Sequence, residues 1–265
     1  MISRPDIPSM RHVLRQWWFV PLFLALQLIP PYASLGYRIM DWAAVNQFII
    51  THPVKAEMAA LFPLFKIVPI LLIIGLFTGD RLMTRLFYAY VALVYALAAI
   101  LQSVSISGRY GWAVCTGNLV TFFMLSILWA GESVKINTGS PIGGHPAIQY
   151  WPFLPALLTF WFPVNPQTLL PDFNPAYFFN SGAGLSFCLA TPLFLSVLLM
   201  PSYREKNKLL ACTSFVGLYM GLSNLVLEWV IIPSYWWIGV LHVPLTVISA
   251  LGLLKVARQI AVRST

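Results

Sequence analysis

Eight apolar runs, most of them close to the length that carries a helix across a bilayer and separated by short polar connections, leave this chain few ways to fold. They cover 17–36, 58–77, 86–106, 112–130, 150–164, 183–200, 209–231 and 236–257. About 20 apolar residues suffice for one helical crossing. The expected architecture is therefore all-α, a polytopic transmembrane helical bundle of eight spans forming a single membrane domain over 1–265. With 59% hydrophobic and 9% charged residues, the chain lacks the polar surface that a soluble domain of this size presents to water.

The basic residues lie mostly between the runs, where they report orientation. With the N-terminus cytoplasmic, Arg4, Arg11, Arg15, Arg81, Arg85, Lys135, Arg204, Lys206, Lys208, Lys255, Arg258 and Arg263 fall inside. Only Arg38, Lys55 and Arg109 fall outside, and Lys66 falls within a span. Both termini are thus expected in the cytoplasm. The chain divides into a cytoplasmic segment 1–16, four spans over 17–131, a cytoplasmic loop 132–149, four spans over 150–257 and a tail 258–265. The first run follows three arginines and imitates a signal peptide, but its length and the seven later runs make it a retained span. The fifth, with Pro152, Pro155 and Pro163, is expected to be short and bent. A shift of 123 residues places Pro69 on Pro192, Arg81 on Arg204 and Arg85 on Lys208. That suggests a four-plus-four parallel repeat, although chance matching of apolar residues explains much of it.

The net charge of +8 follows from this topology and does not point to a nucleic-acid partner. Cys115, Cys188 and Cys212 lie in apolar runs without CxxC or Cys/His spacing, so they read as buried thiols. No HExxH, aspartate-rich diphosphate motif or GxSxG occurs. Neither a metal nor an organic cofactor is expected.

What chemistry the chain carries must come from polar residues inside the runs. Asn224 and Glu228 are one helical turn apart and share a face. A carboxylate within a span is costly enough to mark a functional candidate. Counted at about 1.5 Å per residue from the outer ends, Asn118, Asn224 and His242 fall roughly 10 Å deep, with Lys66, Glu228 and Gln102 close to the same level. One reading makes these residues interhelical links, with Lys66 paired to Glu228 and the asparagines bonded across helices. The other makes them a cavity in which Glu228 donates a proton, His242 is the second titrating group, and Asn224 and Lys66 assist. Asn118 and Gln102 would then contact substrate, as would Trp112, Tyr219, Trp229 and Trp236. The aromatic faces suit a cationic intermediate, and equally suit anchoring at the membrane surface. Asp41 and Asp172, in outer connections, read as pocket caps or as solvated loop acids.

The segment Asn224-Leu225-Val226-Leu227-Glu228-Trp229 resembles the small integral-membrane terpene cyclases of fungal meroterpenoid pathways. Those are polytopic proteins of similar length that place an Asn and a Glu on one membrane helix. The resemblance implies that Glu228 protonates an epoxide or alkene and that Asn224 orients it. The expected function is an integral-membrane enzyme acting on a lipophilic, isoprenoid-type substrate by metal-free acid and base chemistry. Its partners would be that substrate and the bilayer. The alternatives are a small-molecule or lipid transporter and a non-catalytic membrane scaffold.

Overall fold

A computed structural model describes residues 19–136, 141–203 and 207–264. The orientation residues Arg4, Arg11, Arg15, Arg204 and Lys206 lie outside the described residues, as does the start of the first run. The described chain is mostly helical. In order it forms α1 (Phe19–Gln27), β1 (Tyr32–Ala33), α2 (Trp42–Thr51), α3 (Phe62–Leu76), α4 (Arg81–Leu101), β2 (Val104–Ser107), β3 (Gly111–Val114) and α5 (Thr116–Val134). There follow α6 (Phe153–Trp161), α7 (Phe187–Leu199), α8 (Asn207–Val226) and α9 (Trp236–Ser264). Among the described residues, five stretches are long and apolar enough to cross a membrane: Ile39–Leu76, Arg81–Leu101, Thr116–Val134, Asn207–Ile231 and Pro233–Gln259. A sixth candidate is a broken one, in which Tyr177–Leu185 and Phe187–Leu199 meet at 90°.

One expectation needs correction. The architecture is not purely helical, because β1, β3 and β2 form an antiparallel three-stranded sheet in that order. The runs 86–106 and 112–130 therefore give up their facing ends to a hairpin, with Val104 opposite Val114 and Ser107 opposite Gly111. Gly111 has φ +64°, a conformation glycine adopts at no steric cost, and it closes the turn. The fifth run is short, as expected: the nine residues of α6 rise only about 13 Å, against the roughly 30 Å of a hydrocarbon core.

At the centre of the bundle is α7, whose residues from Phe187 to Leu198 are all buried. Polar links tie the surrounding helices together. Tyr95 Oη meets Thr191 Oγ1 at 3.0 Å, Ser126 Oγ donates to the Ala92 carbonyl at 2.7 Å, and Trp129 Nε1 donates to Thr213 Oγ1 at 3.1 Å. Thr159 Oγ1 donates to the Leu241 carbonyl at 3.2 Å. Such bonds replace the hydrophobic drive that lipid removes from helix association. Pro69 in α3 has no N–H for the Phe65 carbonyl, and Tyr90 Oη donates to that carbonyl at 3.0 Å.

The antiparallel pair α8 and α9 is held closest. A Cβ on Gly217 would stand 2.4 Å from Ser249 Oγ, one on Gly221 2.4 Å from Thr246 Oγ1, and one on Gly252 2.1 Å from Ser214 Oγ. Only glycine admits that approach. On α8 the stripe runs Ser214, Gly217, Gly221, and three and seven residues further come Asn224 and Glu228. On α9 it runs Gly252, Ser249, Thr246, and the next position on that face is His242. The packing that brings the two backbones together therefore also brings these three polar residues together.

Candidate functional site

Glu228 and His242 meet inside the bundle. His242 Nδ1 lies 2.9 Å from Glu228 Oε2, and the two residues are 7% and 5% exposed, respectively. The contact is close but not well aligned. The same Nδ1 lies 3.0 Å from the Ile238 carbonyl, and Glu228 Oε2 has no donor in hydrogen-bonding geometry. With Nδ1 facing two acceptor oxygens, it is a nitrogen that carries a proton in this arrangement. Glu228 is presented by an unusual backbone. Leu227–Ile231 forms a π-helical turn, closed by Ile232 N–H donating to the Leu227 carbonyl at 2.7 Å. Such turns insert one residue into a helix and re-aim the side chains they carry. Pro233 then ends the helix, since it can donate no backbone hydrogen bond.

Asn224 belongs to the same cluster. Its Nδ2 donates to the Met220 carbonyl at 2.8 Å and approaches Cys188 Sγ at 3.4 Å. Cys188 is also a neighbour of His242, and it is 5% exposed. The sequence reading missed this residue. A thiol in an apolar run is indistinguishable from core packing until the fold places it beside an imidazole. The cluster is thus Cys188, His242, Glu228 and Asn224, contributed by α7, α9 and the α8 segment. Among the described residues no group of three or more His, Cys, Asp or Glu is placed to hold a metal ion.

Gln102 reaches the cluster indirectly. Its Oε1 accepts from the Phe187 N–H at 2.9 Å and so caps the start of α7, one residue before Cys188. Ser186, the residue at the break, contributes no side-chain cap of its own. Gln102 is a positioning residue for the helix that carries the thiol.

Lys66 lies elsewhere and does not pair with Glu228. It is fully buried, and its Nζ donates to the Phe160 carbonyl and, at 3.5 Å, to the Trp161 carbonyl. It also sits 4.4 Å from the centroid of the Phe160 ring. The last carbonyls of a helix have no intrahelical partner and carry the negative end of its dipole. Lys66 satisfies both needs at the end of α6. Lys255 does the same for α7, donating to the Leu199 carbonyl at 2.7 Å. These are structural cations.

The remaining candidates scatter. Asn118 is half-buried on α5. Tyr219 packs edge-on against Phe23 of α1 with centroids 5.1 Å apart. Trp112, Trp229 and Trp236 are exposed, and Trp229 Nε1 donates to the Trp236 carbonyl at 3.0 Å. They do not enclose Glu228, and they suit anchoring at a membrane surface. Asp172 accepts from Tyr177 Oη at 2.7 Å and from the Asn174 N–H at 3.2 Å, which staples its own loop. Asp41 closes a short 3-10 turn before α2 without a side-chain cap bond.

Grooves open on the bundle surface. One of about 520 Å³ is almost wholly apolar, lined by Ile70, Ile74, Leu157, Trp161 and Leu193 among others. The second, of about 670 Å³, is bounded by Trp151, Leu199, Lys255 and Arg258. Neither is lined by a member of the polar cluster, in which Cys188, Glu228 and His242 are buried. No protein-family model, no curated protein and no solved structure matches the chain.

Proposed function

We propose that this chain is an integral-membrane enzyme that performs metal-free proton transfer on a lipophilic substrate, with Glu228 and His242 as the acid–base pair. The observation that carries the reading is the 2.9 Å approach of Glu228 Oε2 to His242 Nδ1, with Lys66 engaged elsewhere and no ion pair from a lysine to that carboxyl among the described residues. A carboxyl without an aligned donor, next to an imidazole, can give up or accept a proton at little cost in rearrangement. The closed, apolar surroundings favour a substrate that arrives from the bilayer. An isoprenoid chain cyclised by protonation is the concrete form, and it rests on the Asn224–Glu228 resemblance. Eight passes with both termini in the cytoplasm and a four-plus-four repeat complete the proposal.

The test compares wild type with Glu228→Gln, purified at matched monodispersity and assayed by mass spectrometry on prenylated and epoxidised lipids. Gln keeps shape and hydrogen-bonding capacity but cannot exchange the proton. Conversion by wild type should fall by about 10²- to 10⁴-fold in the variant. Equal conversion by the two proteins would rule out Glu228 as the acid.

One observation favours a second reading, transport. The 90° break before Phe187 starts a helix inside the bundle, and broken helices form substrate sites in many transporters. Uptake into sealed vesicles, with no chemical change in the solute, would support it. Turnover in detergent, where no compartments exist, would count against it as the sole activity.

A further inference from the structure

The groove of about 670 Å³ between the later turns of α9 and the turn that precedes α6 is apolar at one end and basic at the other. We propose that it holds one anionic phospholipid, with the headgroup phosphate on Arg258 beside Lys255 and an acyl chain along Leu251, Leu254 and Trp151. The site is separate from Glu228 and His242 and does not depend on the chemistry proposed for them.

Three features select that ligand. The first is the order of residues on one face of α9. Leu251, Leu254, Lys255, Arg258 and Gln259 all line the groove, and spacings of three and four residues put them on one side of the helix. The face is apolar for one turn and polar for the next. The stretch of α9 that is apolar enough to cross a membrane ends at Gln259, so the change falls where the helix leaves the hydrocarbon. A phospholipid changes from chain to phosphate over the same depth. Across the groove stands Trp151, a partly exposed ring of the kind that settles at headgroup level.

The second is charge. Among the described residues that line the groove, none is Asp or Glu. Lys255 Nζ is fixed at the end of α7, where it donates to the Leu199 carbonyl at 2.7 Å. Arg258, one turn further along α9, is exposed, and a guanidinium presents two parallel N–H donors to a phosphate. A choline headgroup would bring another cation beside Arg258 with no carboxylate in the groove to receive it. Basic pockets between spans on the cytoplasmic side suit anionic headgroups, and the proposed topology puts this groove on that side.

The third is unsatisfied polarity. Gln149 and Gln259 both line the groove, and the side-chain oxygen of each is buried with no hydrogen-bond partner among the described residues. Buried polar groups are nearly always paired. Two unpaired carboxamides in one groove mark its polar end as incomplete without a ligand. Rotation about the last torsion lets each present an N–H to a phosphate oxygen, or its oxygen to a headgroup hydroxyl.

The test uses the full chain in phosphatidylcholine nanodiscs that carry a small fraction of a photoreactive lipid, with a diazirine in its acyl chain. The probe is phosphatidylglycerol in one sample and phosphatidylcholine in the other. Peptide mapping after illumination should place adducts within 148–152 and 251–259, with the phosphatidylglycerol probe giving about fivefold more there. Arg258→Gln should remove most of that difference. Arg85→Gln, which alters an exposed arginine at the start of α4 outside the groove, should leave it unchanged. Leu254→Trp keeps the charges and fills the apolar end, so it should lower the yield from both probes. Unfolding temperatures of the variants, measured alongside, should match wild type. Equal labelling by the two probes, or a preference that survives Arg258→Gln, would overturn the proposal. So would loss of the phosphatidylglycerol adduct on adding millimolar inorganic phosphate, since the groove would then recognise the anion without the lipid. Absence of adducts from the groove, with or without a dimeric mass that seats a second copy there, would overturn it as well.

Discussion

At the scale of single residues, Lys66 shows how a charge can be misread when only side chains are considered. Its position in an apolar run suggested Glu228 as a counter-ion, but the partner is the exposed end of a helix backbone, and every helix has one. Lys66→Met keeps the stem's volume and removes the donor, leaving the Phe160 carbonyl without a partner in an apolar setting. A buried unpaired acceptor costs about 1–3 kcal/mol. The variant should unfold at a lower temperature in detergent, as followed by tryptophan fluorescence. An unmoved transition would mean that other groups satisfy the carbonyl. Glu228 and His242 were legible in the sequence because polar groups in hydrocarbon are rare and rarely idle. Cys188 was not, since a thiol packs as an apolar group and only its neighbours distinguish it.

At the scale of elements, the long runs announced the helices, but the interruptions did not announce themselves. The hairpin Val104–Ser107 and Gly111–Val114 alternates in part between apolar and polar residues, yet its apolar content merges with the runs on either side. The break before Phe187 contains no proline, and its tight packing depends on Gly184, where a Cβ would lie 2.5 Å from the Phe65 carbonyl oxygen. The α8–α9 contact was present in the sequence as Gly217, Gly221 and Gly252 at helical spacing, but its depth became clear only with the facing hydroxyls in place. A side chain at Gly221 must push against Thr246, whose backbone N is also only 3.1 Å from a Cβ there. Gly221→Leu should therefore cost about 1–3 kcal/mol by overpacking. It should also separate Glu228 from His242 and lower turnover. Leu222→Ala, one position away and half exposed, should stay within about 0.5 kcal/mol. Equal losses from the two substitutions would show that the stripe is not the contact that positions the site.

At the scale of the whole molecule, the question is whether the short α6 takes the chain from one side of the membrane to the other. Its end is fixed by Lys66 near the start of α3, and the Pro163 carbonyl just beyond accepts from Trp237 Nε1 at 2.8 Å, beside the α8–α9 connection. The segment before it runs past Trp151, which shares a groove with Leu199 and Lys255 at the far end of α7. That far end is also where the Ile142 N–H donates to the Leu76 carbonyl at 3.2 Å and where Ser202 bonds the Pro141 carbonyl. Residues 151–163 thus connect the two ends of the bundle, though the helix itself supplies less than half the thickness, and the flanking turns supply the rest. The prediction follows from parity. Cysteines introduced at Arg109, Gln167 and Ser234, in a background lacking the native thiols, should all react with an impermeant maleimide from the same side of intact cells or oriented vesicles. A tag at the C-terminus should be reached only after permeabilisation. If α6 does not cross, Gln167 must label from the side opposite to Arg109, and the eight-pass arrangement fails with it. Labelling from one side at all three positions would place the Glu228–His242 cluster, which lies near the α8–α9 connection, toward the outer leaflet, the side from which its lipophilic substrate would then have to enter.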